Sequence, residues 1–209
     1  MKKARFLYEE AATQENTRAQ VNLGNMYYRG RGGEEDHHKA FLLYEKAALS
    51  GQSQAQANLA KMYCVGESVP QNGKKCREWF EKYAEQGNAD GLSGLGCYYY
   101  DGKFEKQDYR KAFDLFLRAA DRGEEIAELN LGVMYFHGQY VDPDFTKAAE
   151  YFTRAAGRGN SQAQFNLAVL YAEGKGVQKN MNIALALFKK SAKQGNENAR
   201  KALNEIEKK

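Results

Sequence analysis

Aligned with itself, the 209-residue chain repeats every 36 residues without one insertion, and this period restricts the fold more than any other feature. AQVNLGNMYYRG from Ala19, AQANLAKMYCVG from Ala55, GLSGLGCYYYDG from Gly91, AELNLGVMYFHG from Ala127 and AQFNLAVLYAEG from Ala163 fall in register and close at Gly30, Gly66, Gly102, Gly138 and Gly174. A second series on the same lattice, KAFLLYEKAALSG, KCREWFEKYAEQG, KAFDLFLRAADRG, KAAEYFTRAAGRG and IALALFKKSAKQG, closes at Gly51, Gly87, Gly123, Gly159 and Gly195. Two helices per repeat follow. In the first, Ala19, Leu23 and Tyr27 are spaced by four and share one face at roughly 100° per residue. Gly24, Ala60, Gly96, Gly132 and Ala168 stand beside that face, where a small side chain admits a second helix.

The ends of the second helix are marked as clearly. Asp36, Asn72, Asp108, Asp144 and Asn180 precede it, and their short polar side chains suit the unpaired N–H groups of a first turn. Lys46, Lys82, Arg118, Arg154 and Lys190 fall in its last turns, where cations suit the negative end of the helix dipole, and the glycine that follows can take the left-handed conformation. Composition agrees with helix. Two prolines among 20 glycines are too few breakers for a β-sandwich, and 43% hydrophobic with 28% charged residues does not describe a disordered tail.

The pattern A-x-x-x-L-G/A-x-x-Y-x-x-G, a short polar link, then K-A-x-x-x-F/Y-x-K/R-A-A-x-x-G resembles the Sel1-like repeat, a relative of the tetratricopeptide repeat. Gly174-Lys175-Gly176-Val177 is the fullest copy of the link, from which Gly32-Gly33, Lys103-Phe104 and Gln139-Tyr140 depart. The resemblance covers nearly the whole chain. It implies an all-α fold, a right-handed α/α superhelical solenoid, that binds other proteins and catalyses nothing. On this lattice residues 1–15 form a half repeat, 16–51, 52–87, 88–123, 124–159 and 160–195 five repeats, and 196–209 a capping helix, in one solenoid domain. The polar ending at Glu205, Glu207, Lys208 and Lys209 suits a cap with a wettable outer face. The chain opens in mid-repeat, as either a small solenoid with half-repeat ends or a piece of a longer array would.

In a superhelix of helix pairs the first helices line the concave surface, and a partner meets the side turned away from the second helix. With Leu23 pointing inward, Val21, Asn25 and Tyr28 fall near the opposite side, flanked by Arg18 and Arg29. The equivalent positions vary along the lattice. Toward the N-terminus they offer Arg18, Val21, Asn25, Tyr28, Arg29 and Lys61, toward the C-terminus Leu129, Val133, Phe136, Phe165 and Val169, with Tyr100, Asp90 and Asp101 between. This groove is expected to take an extended or helical protein segment, its acidic end toward Arg18 and Arg29 and its apolar anchors over Phe136 and Phe165. The competing expectation is that the apolar stripe packs on neighbouring first helices or on a second copy of the chain. Asn22, Asn58, Asn130 and Asn166, with Gly94 in the gap, form a ladder at the groove edge. Their amides can serve a ligand backbone, but a repeated position favours a bond between adjacent first helices.

Thirty-one Lys and Arg against 27 Asp and Glu leave +4 with no basic run, which is not a nucleic-acid footprint. No apolar stretch follows MKKARFLYEE, so neither a secretory signal nor a membrane span is read there. The expected partner is a protein or peptide, with a homo-oligomer as the alternative, and the expected compartment is cytoplasmic if the chain is whole. Cys64, Cys76 and Cys97 are odd in number and aperiodic, so free thiols are expected, Cys64 near Cys97 and Cys76 in the packed slot of Ala40. Adjacent His37 and His38 cannot share a helical face, H-E-x-x-H is absent, and no metal or cofactor is expected. A third reading is the β-lactamase-like activity discussed for cysteine-rich relatives. Against it, these cysteines lack the repeat spacing and no Ser-x-x-Lys supplies an activated serine.

Overall fold

The computed structural model describes residues 1–207, which hold twelve helices and no strand. Contacts divide the chain into two compact units. In residues 1–107, α1 (Lys2–Thr13), α2 (Thr17–Tyr28), α3 (His37–Leu49), α4 (Ser53–Val65), α5 (Gly73–Glu85) and α6 (Ala89–Asp101) each pack on the next. From Asp108 onward, α7 (Tyr109–Ala120), α8 (Glu125–His137), α9 (Phe145–Gly157), α10 (Ser161–Glu173), α11 (Met181–Lys193) and α12 (Glu197–Glu207) do the same. On the 36-residue lattice α1 is a second helix and α12 a first helix, and Lys208 and Lys209 of the expected cap lie outside the described residues.

The capping side chains act where the sequence places them. Asp36, Asn72, Asp108, Asp144 and Asn180 accept from the backbone N–H groups of Lys39, Lys75, Lys111, Lys147 and Ile183 at 2.9 to 3.1 Å. At the other end Gly51 has φ +85°, and a Cβ there would meet nothing, so conformation alone calls for glycine. Space decides at Gly24 and Gly132, where a Cβ would stand 2.6 Å from the Tyr44 ring and 2.5 Å from the Phe152 ring. These contacts let the first helix of a repeat lie directly on the aromatic ring of the second. Tyr44, Phe116, Phe152 and Phe188 are correspondingly buried.

A polar staple joins consecutive helices. Gln56 is 4% exposed; its amide donates to the Ala48 carbonyl in the last turn of α3 and accepts from Gln86, the C-cap of α5, at 2.8 Å. Gln164 repeats both bonds, to the Ala156 carbonyl of α9 and from Gln194 at the end of α11. At the same slot in α8 stands Glu128, fully buried, which cannot donate. Arg154 takes over the donation to the Ala120 carbonyl, and Arg154 and Arg158 hold the two carboxylate oxygens at 3.0 and 3.1 Å. Gln20 makes only half of the pattern. It donates to the Ala12 carbonyl, but its Oε1 is buried without a partner, because the C-cap of α3 is Ser50, whose hydroxyl turns to the Lys46 carbonyl.

Two expectations are corrected. Val21 is 4% exposed rather than open to a ligand, because α2 is packed by both α1 and α3 and buries Gln20, Val21 and Met26 along with Ala19 and Leu23. The cysteines are not all free thiols: Cys64 of α4 is joined to Cys76 of α5 in a disulfide, with Cα atoms 5.1 Å apart. The Asn72 N–H donates to the Tyr63 carbonyl at 2.9 Å and draws the end of α4 onto the start of α5, a link bond that recurs at Asp36, Asp144 and Asn180. Cys64, the residue after Tyr63, and Cys76, one helical turn after Asn72, thus come within disulfide reach. Cys76 is fully buried, as its packed slot requires.

The staple generates two stability predictions. Ser50→Gln, at a C-cap with nearly the backbone angles of Gln86, should give Gln20 its missing donor and raise stability by about 1 kcal/mol in urea unfolding. Arg154→Ala with Arg158→Ala should destabilise by about 3–5 kcal/mol by stranding the Glu128 charge, and adding Glu128→Gln should recover much of the loss. Equal stability with and without Glu128→Gln would refute the stranded-charge account.

Candidate functional site

The expected binding face is built separately in each unit. In residues 1–107, α2 and α4 wall a pocket of about 370 Å³ lined by Asn25, Tyr28 and Arg29 on one side and Asn58, Lys61 and Val65 on the other, with Tyr44 and Glu67 also facing it. Arg29 and Lys61 are exposed, and Asn25, Tyr28 and Asn58 half-buried. Asn25 and Arg29 also line a neighbouring pocket with Asn22 and Arg31. Arg18, although exposed, lines neither pocket, nor does half-buried Tyr100.

A small polar cluster fixes the wall of the first pocket. The Tyr28 hydroxyl donates to Glu67 Oε2 at 2.8 Å, and the Tyr28 ring stacks on His37 with centroids 4.7 Å apart. His37 Nδ1 lies 2.6 Å from Glu67 Oε1 and its Nε2 2.9 Å from Glu35 Oε1. Bonding to Glu35 and the two neighbouring negative charges raise the imidazole pKa above its ordinary value, and the bond to Glu67 raises that of Tyr28. Behind them the Tyr44 hydroxyl donates to Asn25 Oδ1 at 2.7 Å, and burial raises the Tyr44 pKa strongly. Sequence reasoning missed Glu67 and His37 as site residues. Glu67 lies in a link with no periodic signal, and its contact with Tyr28 spans one repeat plus three residues.

In the second unit, α8 and α10 bring Val133, Phe136, Phe165 and Val169 together around a pocket of about 210 Å³, with His137 and Asn166 at the rim and buried Phe152 at its base. Phe136 also meets the Phe145 ring edge-on, and Phe165 lies 5.7 Å from Phe188. Leu129 is half-buried against the core of α9 and α10 and does not line the pocket. At three rungs of the Asn ladder the structure shows bonds within a helix. Asn58 and Asn166 accept from Gln54 and Gln162, and Asn130 donates to the Ile126 carbonyl, each one turn earlier in its own helix. Cys64 and Cys97 line one pocket with Phe80 and Phe104, although the disulfide partner of Cys64 is Cys76. Trp79 is half-buried, with Lys82 Nζ 4.4 Å over its ring. No group of three or more His, Cys, Asp or Glu among the described residues is placed to hold a metal ion, and no helix among them is long and apolar enough to cross a membrane.

Comparison with known proteins adds to this geometry. A Sel1 repeat family model matches residues 1–16, 17–52, 53–88, 89–124, 126–160 and 161–196. The chain is similar to a Sel1 repeat protein from Oxalobacter formigenes, at 34% identity and TM-score 0.87, over 95% of this chain and 84% of that one. It is also similar to a protective antigen of uropathogenic Escherichia coli with an SLR fold, at 30% identity and TM-score 0.82 over 93% of this chain, but spans only 42% of that protein. An immunity protein from Pseudomonas aeruginosa, at 20% identity and TM-score 0.61 over 90% of this chain and 72% of that one, shares the fold alone. No significant match is found among curated proteins.

The His37 cluster predicts a pH dependence. A pKa raised above 6.5 on folding gives a contribution fully present below pH 6.5 and lost as pH rises through the higher folded value. His37→Gln should therefore narrow the gap in melting temperature to the wild type as pH rises through that window. A His37 NMR titration midpoint at or below 6.5 would contradict the cluster.

Proposed function

The chain belongs to the Sel1 repeat family, whose members are generally non-catalytic protein-interaction scaffolds, and from that premise we propose that it holds a segment of a partner protein on the outer face of its first helices. The observation that supports this reading most is the pocket of Val133, Phe136, Phe165 and Val169. Four apolar side chains from two consecutive first helices converge on a space of about 210 Å³, smaller than most small-molecule sites and suited to one large apolar side chain of a partner. His137 and Asn166 supply polar groups at its edge. The Cys64–Cys76 disulfide supports placing this activity in an oxidising compartment, instead of the cytoplasm expected for a whole chain without a signal.

The test is capture of a protein from native lysate by the wild type and by two variants. Phe136→Ala with Phe165→Ala empties the pocket but also cuts contacts to Phe145 and Phe188, so some loss of melting temperature is expected. Val169→Asp places a charge in the pocket with both rings kept. Both variants should lose the captured protein while keeping the helical circular dichroism of the wild type. Capture unaffected by Val169→Asp, or a mass that rises with concentration and no partner, would replace this reading with self-association.

A further inference from the structure

The pocket of α2 and α4 differs in chemistry from that of α8 and α10, and its internal hydrogen bonds decide what it can accept. Each of its amide and carboxylate acceptors already has a donor. Asn25 Oδ1 receives the Tyr44 hydroxyl at 2.7 Å, Asn58 Oδ1 the Gln54 amide at 3.5 Å, and the two oxygens of Glu67 receive the Tyr28 hydroxyl and His37. The side-chain groups left to face the pocket are donors: the two Asn –NH₂ groups, the Arg29 guanidinium and the Lys61 ammonium. Neither Arg29 nor Lys61 has an acidic partner among the described residues, and both are exposed. The donors also come in matched pairs. Asn25 and Arg29 are four apart along α2 and its C-cap, Asn58 and Lys61 three apart along α4, so each pair shares one face of its helix.

We propose that this pocket is a receptor for the side-chain carboxylates of an acidic protein segment, one carboxylate on Asn25 with Arg29 and a second on Asn58 with Lys61. This deepens the scaffold reading above and rests on it, since it names the chemistry of the segment captured. An anion accepts from amide and cationic donors together, and a charged acceptor bonds them more strongly than a neutral one. A segment with carboxylates on one side satisfies both pairs at once, whereas a neutral backbone leaves the two cations unmatched. The nearby charges of Glu67 and Glu35 oppose a long polyanion, whereas the hydrogen bonds that Tyr28 and His37 make to Glu67, and His37 to Glu35, weaken their opposition to a short acidic segment.

Fluorescence anisotropy with the full chain tests this. The probes are a labelled, C-terminally amidated peptide of alternating aspartate and serine and the same peptide with asparagine for aspartate. The aspartate peptide should bind about tenfold more tightly or better, with the difference shrinking as salt is added. Arg29→Gln with Lys61→Gln should abolish the difference, while Lys189→Gln with Lys193→Gln, which removes the same charge from α11, should leave it intact. Equal binding of both peptides overturns the proposal, as does an equal loss in the α11 variant. An asparagine peptide with a free C-terminus that matches the aspartate peptide would assign the pocket to a terminal carboxylate, and a single-stranded oligothymidylate that binds more tightly than either would assign it to a polyanion. Each of these results overturns the proposal as stated. If the aspartate peptide fails while Val169→Asp still loses a captured protein, the acidic receptor falls and the scaffold stands.

Discussion

A long polar side chain buried near the start of a first helix is tolerable only if its donor and acceptor are both bonded, and that requirement fixes how three consecutive helices sit. Gln56 and Gln164 satisfy it by reaching back to a carbonyl in the last turn of the preceding helix and forward to the C-cap side chain of the following one. The carbonyl reached is among the last four of its helix, which have no regular partner within it. That carbonyl also accepts the Gly51 or Gly159 N–H, so the staple amide is its second donor. Shape packing of Gly24 on Tyr44 or Gly132 on Phe152 sets the distance between two helices, while the staple sets their register.

The exchange at Glu128 shows that the bonds are retained rather than the residue. With a carboxylate in the slot, the donation to the Ala120 carbonyl passes to Arg154, and the C-cap position carries Arg158 where α5 and α11 carry Gln86 and Gln194. Leu92 is the exception at this slot, an apolar residue in α6, the last helix of the first unit. It is buried, so the packing half of the design is kept, but it has no atom with which to make the polar half. Every staple seen in the structure lies within a single unit.

Much of this was legible in the sequence because repetition turns weak local signals into a pattern. One Asp before a helix is a modest cap signal; Asp36, Asn72, Asp108, Asp144 and Asn180 at one spacing leave little choice, and all five cap. What escaped depends on side chains meeting across repeats or across a link. Val21 was placed by its angle on an isolated helix, which does not count the neighbours on both sides of α2. The Asn ladder repeats, yet Asn58 and Asn166 accept from the Gln one turn earlier in α4 and α10, a local pair that the 36-residue period does not single out. Cys64 and Cys76 occupy the lattice slots of Tyr28 and Ala40, and only one repeat has sulfur in both.

The same lattice separates what holds the fold from what varies on its face. The position of Asn25 becomes Lys61, Cys97, Val133 and Val169 in later repeats, changing a pocket from donor-lined to apolar, while the staple and the buried rings stay nearly constant. Tyr28 is drawn into both roles. Its hydroxyl is committed to Glu67 and one face of its ring to His37, so a ligand can meet only the ring's other face. Its work is to hold the link carrying Glu67 against α2 and so to keep that carboxylate bonded. Were it released, Glu67 would set a negative charge beside Arg29 and Lys61 and compete with any acidic segment for the same cations.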